Sequence, residues 1–517
     1  MTLDTVQSAT NFCNVNENGN ANNWNASNVI GVRPDFTTVH LSDWFLRTAM
    51  GKEESSLRQL LPINTNRNAT GYDRSRYRVV HVFKIMNKLF DANLIYEAGT
   101  KAMQGSRFKY KTQLYEMTQL LQTAHIQQDL MQGTYTPAPG VKFPINERGH
   151  SRYITSNIMR DKTVNHLLCD EVISPSIRRY LAHTNSASQK GKGVSFHRRH
   201  FEEDLHHYYM QHGSNEGWVL FIDYSGYYGN IRHGPIIATL EEFIGREQDP
   251  EVFRTAMDLI RKIFKTFEMD VSRFSDEEVE ALYYGKVDPM MNRFTDPKLL
   301  TGKKMLRKGV DIGNQVSQDV GIVHPYRIDN YISIVMACHF FGRYTDDTHI
   351  ISDSKEHLLA VLEGVKVIAD QYGIIINEKK TRICKLSDFY RYLQIGYSLT
   401  DSGRLIRKIN PKNVTRERQK LKAYKRKLDA GKMTYEDVEN AFKSWLGGNW
   451  KRMSRQQISN MSLLYYQLFE RRPKWKKGHG RLRWLMGQPW RDSTSTATTT
   501  SAAQNSPRTT SRASSAL

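Results

Sequence analysis

Three aspartates in this chain stand where carboxylates are costly. Asp346 and Asp347 are adjacent, framed by Phe340 and Phe341 before them and Ile350 and Ile351 after them. Two like charges at one tight turn repel each other unless a cation sits beside them, and hard oxygen donors suit a divalent ion. Asp223 ends the apolar run Trp218-Val219-Leu220-Phe221-Ile222, the pattern of a central strand that delivers one acid from its end. Surface turns often carry paired aspartates; a further carboxylate at a buried strand end makes metal-assisted chemistry the stronger reading.

These acids need a scaffold. The apolar and aromatic residues around Asp346 predict a β-hairpin with Thr345 to Asp347 at its turn. After Asp223 the chain passes through Tyr224-Ser225-Gly226-Tyr227-Tyr228 into a helix near Pro235, and residues 236–307 read as mostly helical. Gly309 to Gln318 is turn-rich, with glycines that let backbone approach a ligand and with Asn314 and Gln318 as neutral hydrogen-bond groups. Glu356 to Tyr372 has helical periodicity, Ile374 to Thr381 reads as strand and turn, and Phe389 to Leu399 as a short hairpin. Upstream, Val79 to Met131 predicts two or three helices, and Gly133 to Ile154 a hairpin whose Lys142 and Arg152 can close over phosphates. Ser186 to Gly193 lacks the spacing of a phosphate-binding P-loop, yet Lys190 and Lys192 in this basic turn suit a backbone phosphate. His197, His200, His206, His207 and His212 read as a polar helix face, since no H-E-x-x-H pattern accompanies them.

The 517 residues carry a formal charge of +21, so the expected partner is a polyanion, nucleic acid ahead of an acidic membrane surface. Basic residues concentrate at 403–427, including Arg404, Arg407, Lys408, Lys420 and Lys422, and again at 471–483, where Arg471 and Arg472 precede Trp475 and Trp484. Cations interleaved with aromatics suit a sugar-phosphate backbone and stacked bases. No apolar run is long enough to span a bilayer and no secretory leader is recognisable, so a soluble cytoplasmic protein without membrane contact is expected. Cys13, Cys169, Cys338 and Cys384 lack metal-ligand spacing and read as separate thiols in a reducing compartment. The asparagine-rich start reads as a flexible lead-in, and residues 491–517 as a disordered tail.

The order of these pieces resembles the reverse transcriptases of bacteria and their mobile elements, over roughly residues 79–430. Phe221-Ile222-Asp223 with Tyr228 is similar to the first palm motif, and Tyr344-Thr345-Asp346-Asp347 to the Y-x-D-D motif. Gly309 to Gln318 resembles the second palm motif in the form found in diversity-generating elements, Asn377 to Thr381 the fourth motif, and Tyr392-Leu393-Gln394-Ile395-Gly396 the primer-grip hairpin. The resemblance implies an RNA-templated DNA polymerase that uses two Mg2+ ions, with Mn2+ as a substitute. Asp223 and Asp346 would bind them, with the Tyr224 carbonyl and Asp347 assisting. It implies that Tyr228 excludes a ribose 2′-hydroxyl, that Gln318 and Gly313 lie near the incoming base and template, and that Arg152 and Lys142 meet the triphosphate. Lys380 would protonate pyrophosphate, and Tyr392 and Gly396 would contact nucleic acid.

The implied fold is α+β, a right-hand polymerase. Its parts would be an extension at 1–78, fingers at 79–217, a palm at 218–402 with an inserted fingers segment at 232–308, and a basic helical thumb at 403–490. The antiparallel palm sheet is expected to carry helices on one face and turn the other to the duplex. The second motif lacks the Pro-Gln-Gly form of intron enzymes, and no appended nuclease, RNase H or integrase pattern follows. The long inserted segment is instead like that of reverse transcriptases associated with phage defence, which implies a structured non-coding RNA as partner, dNTPs as substrates and a DNA product. A diversity-generating role, untemplated synthesis, RNA synthesis and an idle RNA-binding scaffold stay open, as does a second copy or an accessory protein as partner.

Overall fold

The computed structural model describes residues 87–147 and 150–475. The 1–78 extension, Trp484 and the 491–517 tail lie outside the described residues.

Helices α1 (Ala92–Met103), α2 (Tyr110–Met117) and α3 (Gln119–Met131) come first. The Asp91 carboxylate starts α1 by accepting the amide protons of Asn93 and Leu94, a cap worth about 1 kcal/mol. Strands β1 (Val141–Glu147) and β2 (His150–Ser156) pair antiparallel, with Lys142 opposite Thr155. Two further helices, α4 (Met159–Leu168) and α5 (Val194–His212), lead to β3 (Trp218–Asp223).

After β3 come α6 (His233–Glu247) and α7 (Pro250–Phe267). A small unit follows, closed by the paired β4 (Met269–Asp270) and β5 (Met305–Leu306) and containing α8 (Asp276–Tyr284). This part of the stretch read as mostly helical is less so, since residues 285–296 hold only turns and extended pieces. Next in order are α9 (Gln315–Val323), β6 (Phe340–Tyr344), β7 (Asp347–Ser352), α10 (Lys355–Tyr372), β8 (Arg382–Lys385), β9 (Tyr390–Tyr392), β10 (Ile395–Leu399) and β11 (Leu405–Ile409).

The main sheet has the order β6-β7-β3-β8, antiparallel throughout. Its strand β3 is apolar at successive positions because both of its faces are buried. Leu220 and Ile222 pack with Ile350, Val361 and Val365, whereas Val219 and Phe221 pack with Phe201, Leu205 and Tyr397. The expectation of one sheet face open to a duplex is therefore corrected: α5 and the smaller β11-β10-β9 sheet cover that face. The strand ends that carry the acids open into a cavity.

The β9–β10 turn is tight, and Leu393 and Gln394 both take left-handed φ angles, 44° and 70°. Side chains with a Cβ resist that conformation, so the turn needs outside support. The guanidinium of Arg198, on α5, supplies it by donating through Nε and Nη2 to the Leu393 carbonyl, at 3.2 and 2.5 Å. Beyond β11, helices α11 (Pro411–Asp429), α12 (Tyr435–Asn449) and α13 (Arg455–Phe469) enclose a separate core around Leu421, Phe442 and Tyr465. Side chains of Asn410, Thr434 and Ser454 cap their starts, each accepting an amide proton of the first turn.

Candidate active site

Antiparallel pairing of β3 with β7 sets Asp223 directly across from Asp347, and Asp346 occupies the turn between β6 and β7. Like charges directly opposite on neighbouring strands destabilise a sheet, so the arrangement is held from elsewhere. Arg343 does much of this. Its side chain is fully buried, donating from Nε and Nη2 to the two Asp329 oxygens at 2.7 and 2.6 Å. Nη2 also donates to the Ile322 carbonyl at 2.8 Å, and Nη1 to the carbonyl of Thr345 at 3.0 Å. Thr345 sits at φ 57°, the left-handed conformation that lets Asp346 turn outward. Burial alone would weaken the guanidinium's hold on its proton, but Asp329 outweighs it and keeps Arg343 charged.

The acids are short of positive charge. Lys380 donates to both oxygens of Asp223, at 2.9 and 3.1 Å, and the Asn377 amide side chain donates to one of them at 2.9 Å. The Asn377 backbone amide donates to the Asp223 carbonyl at 2.8 Å, which ties the two segments together. Asp347 is pushed up to about 7 by burial first, then by the charges of Asp346 and Asp223. Asp346 is raised as well, by burial and then by Asp223. Lys380, Arg152 and Arg382 all act on this group, yet Asp346 and Asp347 stay raised, and an all-oxygen donor set of this kind fits a hard divalent cation. Among the described residues no three His, Cys, Asp or Glu side chains are already drawn into a metal cage.

The acids form the floor of an open cavity of about 1460 Å3. Lys142, Arg152 and Tyr153 of the β1–β2 hairpin line one side, Arg391, Leu393 and Gln394 of the β9–β10 turn another, and Lys286 to Pro289 a third. Tyr228 projects into it, half-buried, with its hydroxyl against Gly321. A Cβ at Gly321 would lie 2.7 Å from that oxygen, so glycine is what leaves the ring room. Tyr227, next to it, donates its hydroxyl to the Gly321 carbonyl at 2.7 Å.

Residues 142–399 match the family model described as reverse transcriptase (RNA-dependent DNA polymerase). The chain belongs to the reverse transcriptase family. It is by that family an RNA-directed DNA polymerase, a nucleotidyltransferase, and its fold is the right-hand polymerase fold. Comparison with curated proteins gave no match. Among solved structures it is similar to telomerase from Candida albicans in complex with a TWJ fragment of telomeric RNA, at 12% identity and a TM-score of 0.37, covering 71% of this chain and 67% of that one. It is also similar to apo telomerase from Candida tropicalis, at 12% identity and a TM-score of 0.36, covering 67% and 60%. A form of that telomerase truncated from its C-terminal domain aligns at 12% identity and a TM-score of 0.33, over 52% and 54%. The chain thus spans between about half and two thirds of these telomerase chains, and likeness at this level carries no functional argument.

Within this reverse transcriptase the residues singled out from sequence divide into two groups. Asp223, Tyr224, Asp346, Asp347, Lys380, Tyr228, Arg152 and Lys142 all line the one cavity, although Lys142 is paired with Asp311 at 3.1 Å. Gln318 and Gly313 are not part of that lining. Gln318 is exposed on α9, and Gly313, at φ 110°, lets its loop close on the hairpin, where a Cβ would lie 2.7 Å from the Thr155 carbonyl. The Thr155 amide donates to the Ile312 carbonyl there, at 2.8 Å.

Several residues expected to touch nucleic acid are engaged within the protein. Lys192 donates to the carbonyls of His183 and Asn185, at 2.8 and 3.2 Å. Arg407 pairs with Glu202 at 2.7 Å, and Trp475 packs against the core of α11–α13. Gly396 makes room for the Phe389 ring. Tyr392 lines the cavity edge, but it is buried, and its hydroxyl lies 2.7 Å from His197 Nε2 and 3.4 Å from His349 Nδ1. The polar-face account of the histidines holds for the exposed His206, His207 and His212 but fails for His197, which is fully buried and also bonded to Ser186. Lys190, Arg404, Lys408, Lys420, Lys422, Arg471 and Arg472 remain exposed.

The Arg343–Asp329 pair, Arg198 and Gly321 escaped the sequence, and Asn377 was placed in a motif without its bond to Asp223. Arg343 had a signal: a charged residue inside the apolar strand Phe340-Phe341-Gly342 demands a buried partner. Among the described residues no helix is long and apolar enough to cross a membrane.

Proposed function

We propose that this reverse transcriptase copies RNA by adding dNTPs to a primer 3′ end at Asp223, Asp346 and Asp347. The observation that carries this is the register of β3 against β7, which sets Asp223 across from Asp347, beside Asp346, on the floor of a cavity with a basic rim. Two Mg2+ ions, or Mn2+ in their place, would be held by these carboxylates and the Tyr224 carbonyl, and would supply an activated primer hydroxyl and a clamp on the triphosphate.

The remaining work falls to the chain itself. Arg152 and Lys142 approach from the hairpin as phosphate partners, and Lys142 has to leave Asp311 to serve. Lys380 orients the Asp223 carboxylate and stands where it can hand a proton to departing pyrophosphate. The Tyr228 ring, backed by α9 at Gly321, closes on the sugar and excludes a 2′-hydroxyl. Replacing it, Tyr228→Ala, is expected to narrow the preference for dNTP over rNTP by roughly 100-fold, the scale of a steric pocket contact. Single-nucleotide incorporation with each substrate checks this; an unchanged ratio would remove Tyr228 from the sugar site.

As its setting we propose phage defence with a dedicated structured RNA as partner. Support comes from the sequence resemblance and from the folded unit between β4 and β5. The test is to express the gene with its flanking DNA, sequence the RNA that co-purifies, and plate phages on those cells. A discrete RNA and plating reduced by wild type but not by Asp346→Asn are expected; equal plating on both counts against defence and favours diversification.

A further inference from the structure

The unit between β4 and β5 is bolted to the loop that follows Asp223. It has a small core of Val271, Val287 and Leu306. The Val287 amide donates to Asn230 Oδ1 at 3.0 Å, and Asn230 Nδ2 donates to the carbonyls of Ser225 and Gly226, both at 3.0 Å. Asn230 thereby reads the unit with one end of its amide and the catalytic loop with the other. From the opposite side Lys308, itself buried, donates to the carbonyls of Leu282, Tyr283 and Gly285, at 3.1, 2.8 and 2.5 Å. These bonds grip the end of α8 and the residue just before Lys286. At its far edge Arg293 donates to the Tyr153 hydroxyl, at 3.3 Å, next to Arg152 on the hairpin.

Lys286 sits between two of these anchors, Gly285 and Val287, so its backbone is fixed while its side chain stays exposed in the cavity. Its Cε lies 3.3 Å from where a Cβ on Gly226 would be, over the turn that begins just after Asp223. Its charge is also uncommitted. Lys142 is paired with Asp311 and Lys380 with Asp223, whereas among the described residues no carboxylate lies within ion-pair distance of Lys286. A held lysine with a free ammonium, beside a catalytic carboxylate loop, suits a polyphosphate.

We propose that this unit is a fixed wall of the nucleotide site and that Lys286 binds the triphosphate of the incoming dNTP, alongside Arg152. The assignment rests on the polymerase reading above and adds a substrate contact supplied by the inserted unit.

Single-nucleotide incorporation by the full-length protein on a primed RNA template separates the two. Lys286→Ala is expected to raise the KM for dNTP about tenfold, the loss of one charge-assisted hydrogen bond, with kcat changed little. Lys286→Arg should restore most of the affinity, and Lys286→Glu should weaken it further. Inhibition by inorganic pyrophosphate should weaken in parallel in Lys286→Ala, a shift that a merely structural lysine would not produce. Unchanged KM and unchanged pyrophosphate inhibition in Lys286→Ala, with wild type active, would overturn the Lys286 assignment alone. A wild type that extends no primer would overturn the polymerase reading and this one with it.

Discussion

Asp346→Asn is expected to lower dNTP incorporation by roughly 10^2- to 10^3-fold while leaving the protein folded. Electrostatic groups aimed at a reacting centre are worth about that much each, and Asp346 stands at the turn where three carboxylates meet. The same substitution has a second expected effect of opposite sign. In the presence of a chelator it removes one of the charges that hold Asp347 well above the ordinary carboxylate range. Relief of that repulsion should stabilise the fold by about 1 kcal/mol. Added Mg2+ should then stabilise wild type more than the variant, because the variant has one fewer carboxylate to offer it. Thermal unfolding with chelator and with Mg2+, beside primer extension, reads both effects. Lost activity with lost stability would make Asp346 a structural residue.

The second large effect is expected far from any substrate. Asp329→Asn leaves the Arg343 guanidinium buried without a counter-charge, and breaking such a pair costs about 3–5 kcal/mol. Activity should fall with stability, since Arg343 also donates to the carbonyl of Thr345, at the turn that presents Asp346. Replacing both partners by apolar residues of similar size, Asp329→Leu with Arg343→Met, should recover much of the stability. It should not recover the activity, because nothing then holds Thr345 at its left-handed angle. Denaturant unfolding of the single and double variants, with incorporation measured on each, decides this. A stable and active Asp329→Asn would show that the pair carries neither load.

How much of this could be read beforehand depends on how local the cause is. The β3 run and the acidic hairpin were legible because a continuous apolar run, a strand-end acid and a tight turn are properties of a few neighbouring residues. Their register was not: that Asp223 faces Asp347 follows from pairing across the intervening α6 to α9 region, and no local pattern states it. The covered second face of the sheet escaped for the same reason, since Phe201 and Tyr397 reach Phe221 from distant parts of the chain.

Charge was legible in sum and opaque in detail. Lys190 and Lys192 look alike in sequence, yet one is exposed and the other closes a loop through two carbonyls. Gly396 and Gly313 were read as places where nucleic acid comes close. What comes close is Phe389 in one case and the β2 backbone in the other. In both, the need for a missing side chain was visible, and the neighbour that imposes it was not.

The central claim is RNA-templated DNA synthesis at the three aspartates. Its most direct test is to give the purified full-length protein a primed RNA of known sequence, all four dNTPs and Mg2+, and to sequence the product. The expected result is DNA complementary to that RNA, absent with a chelator and absent with Asp223→Asn. DNA unrelated to the template, or synthesis that survives Asp223→Asn, would contradict it.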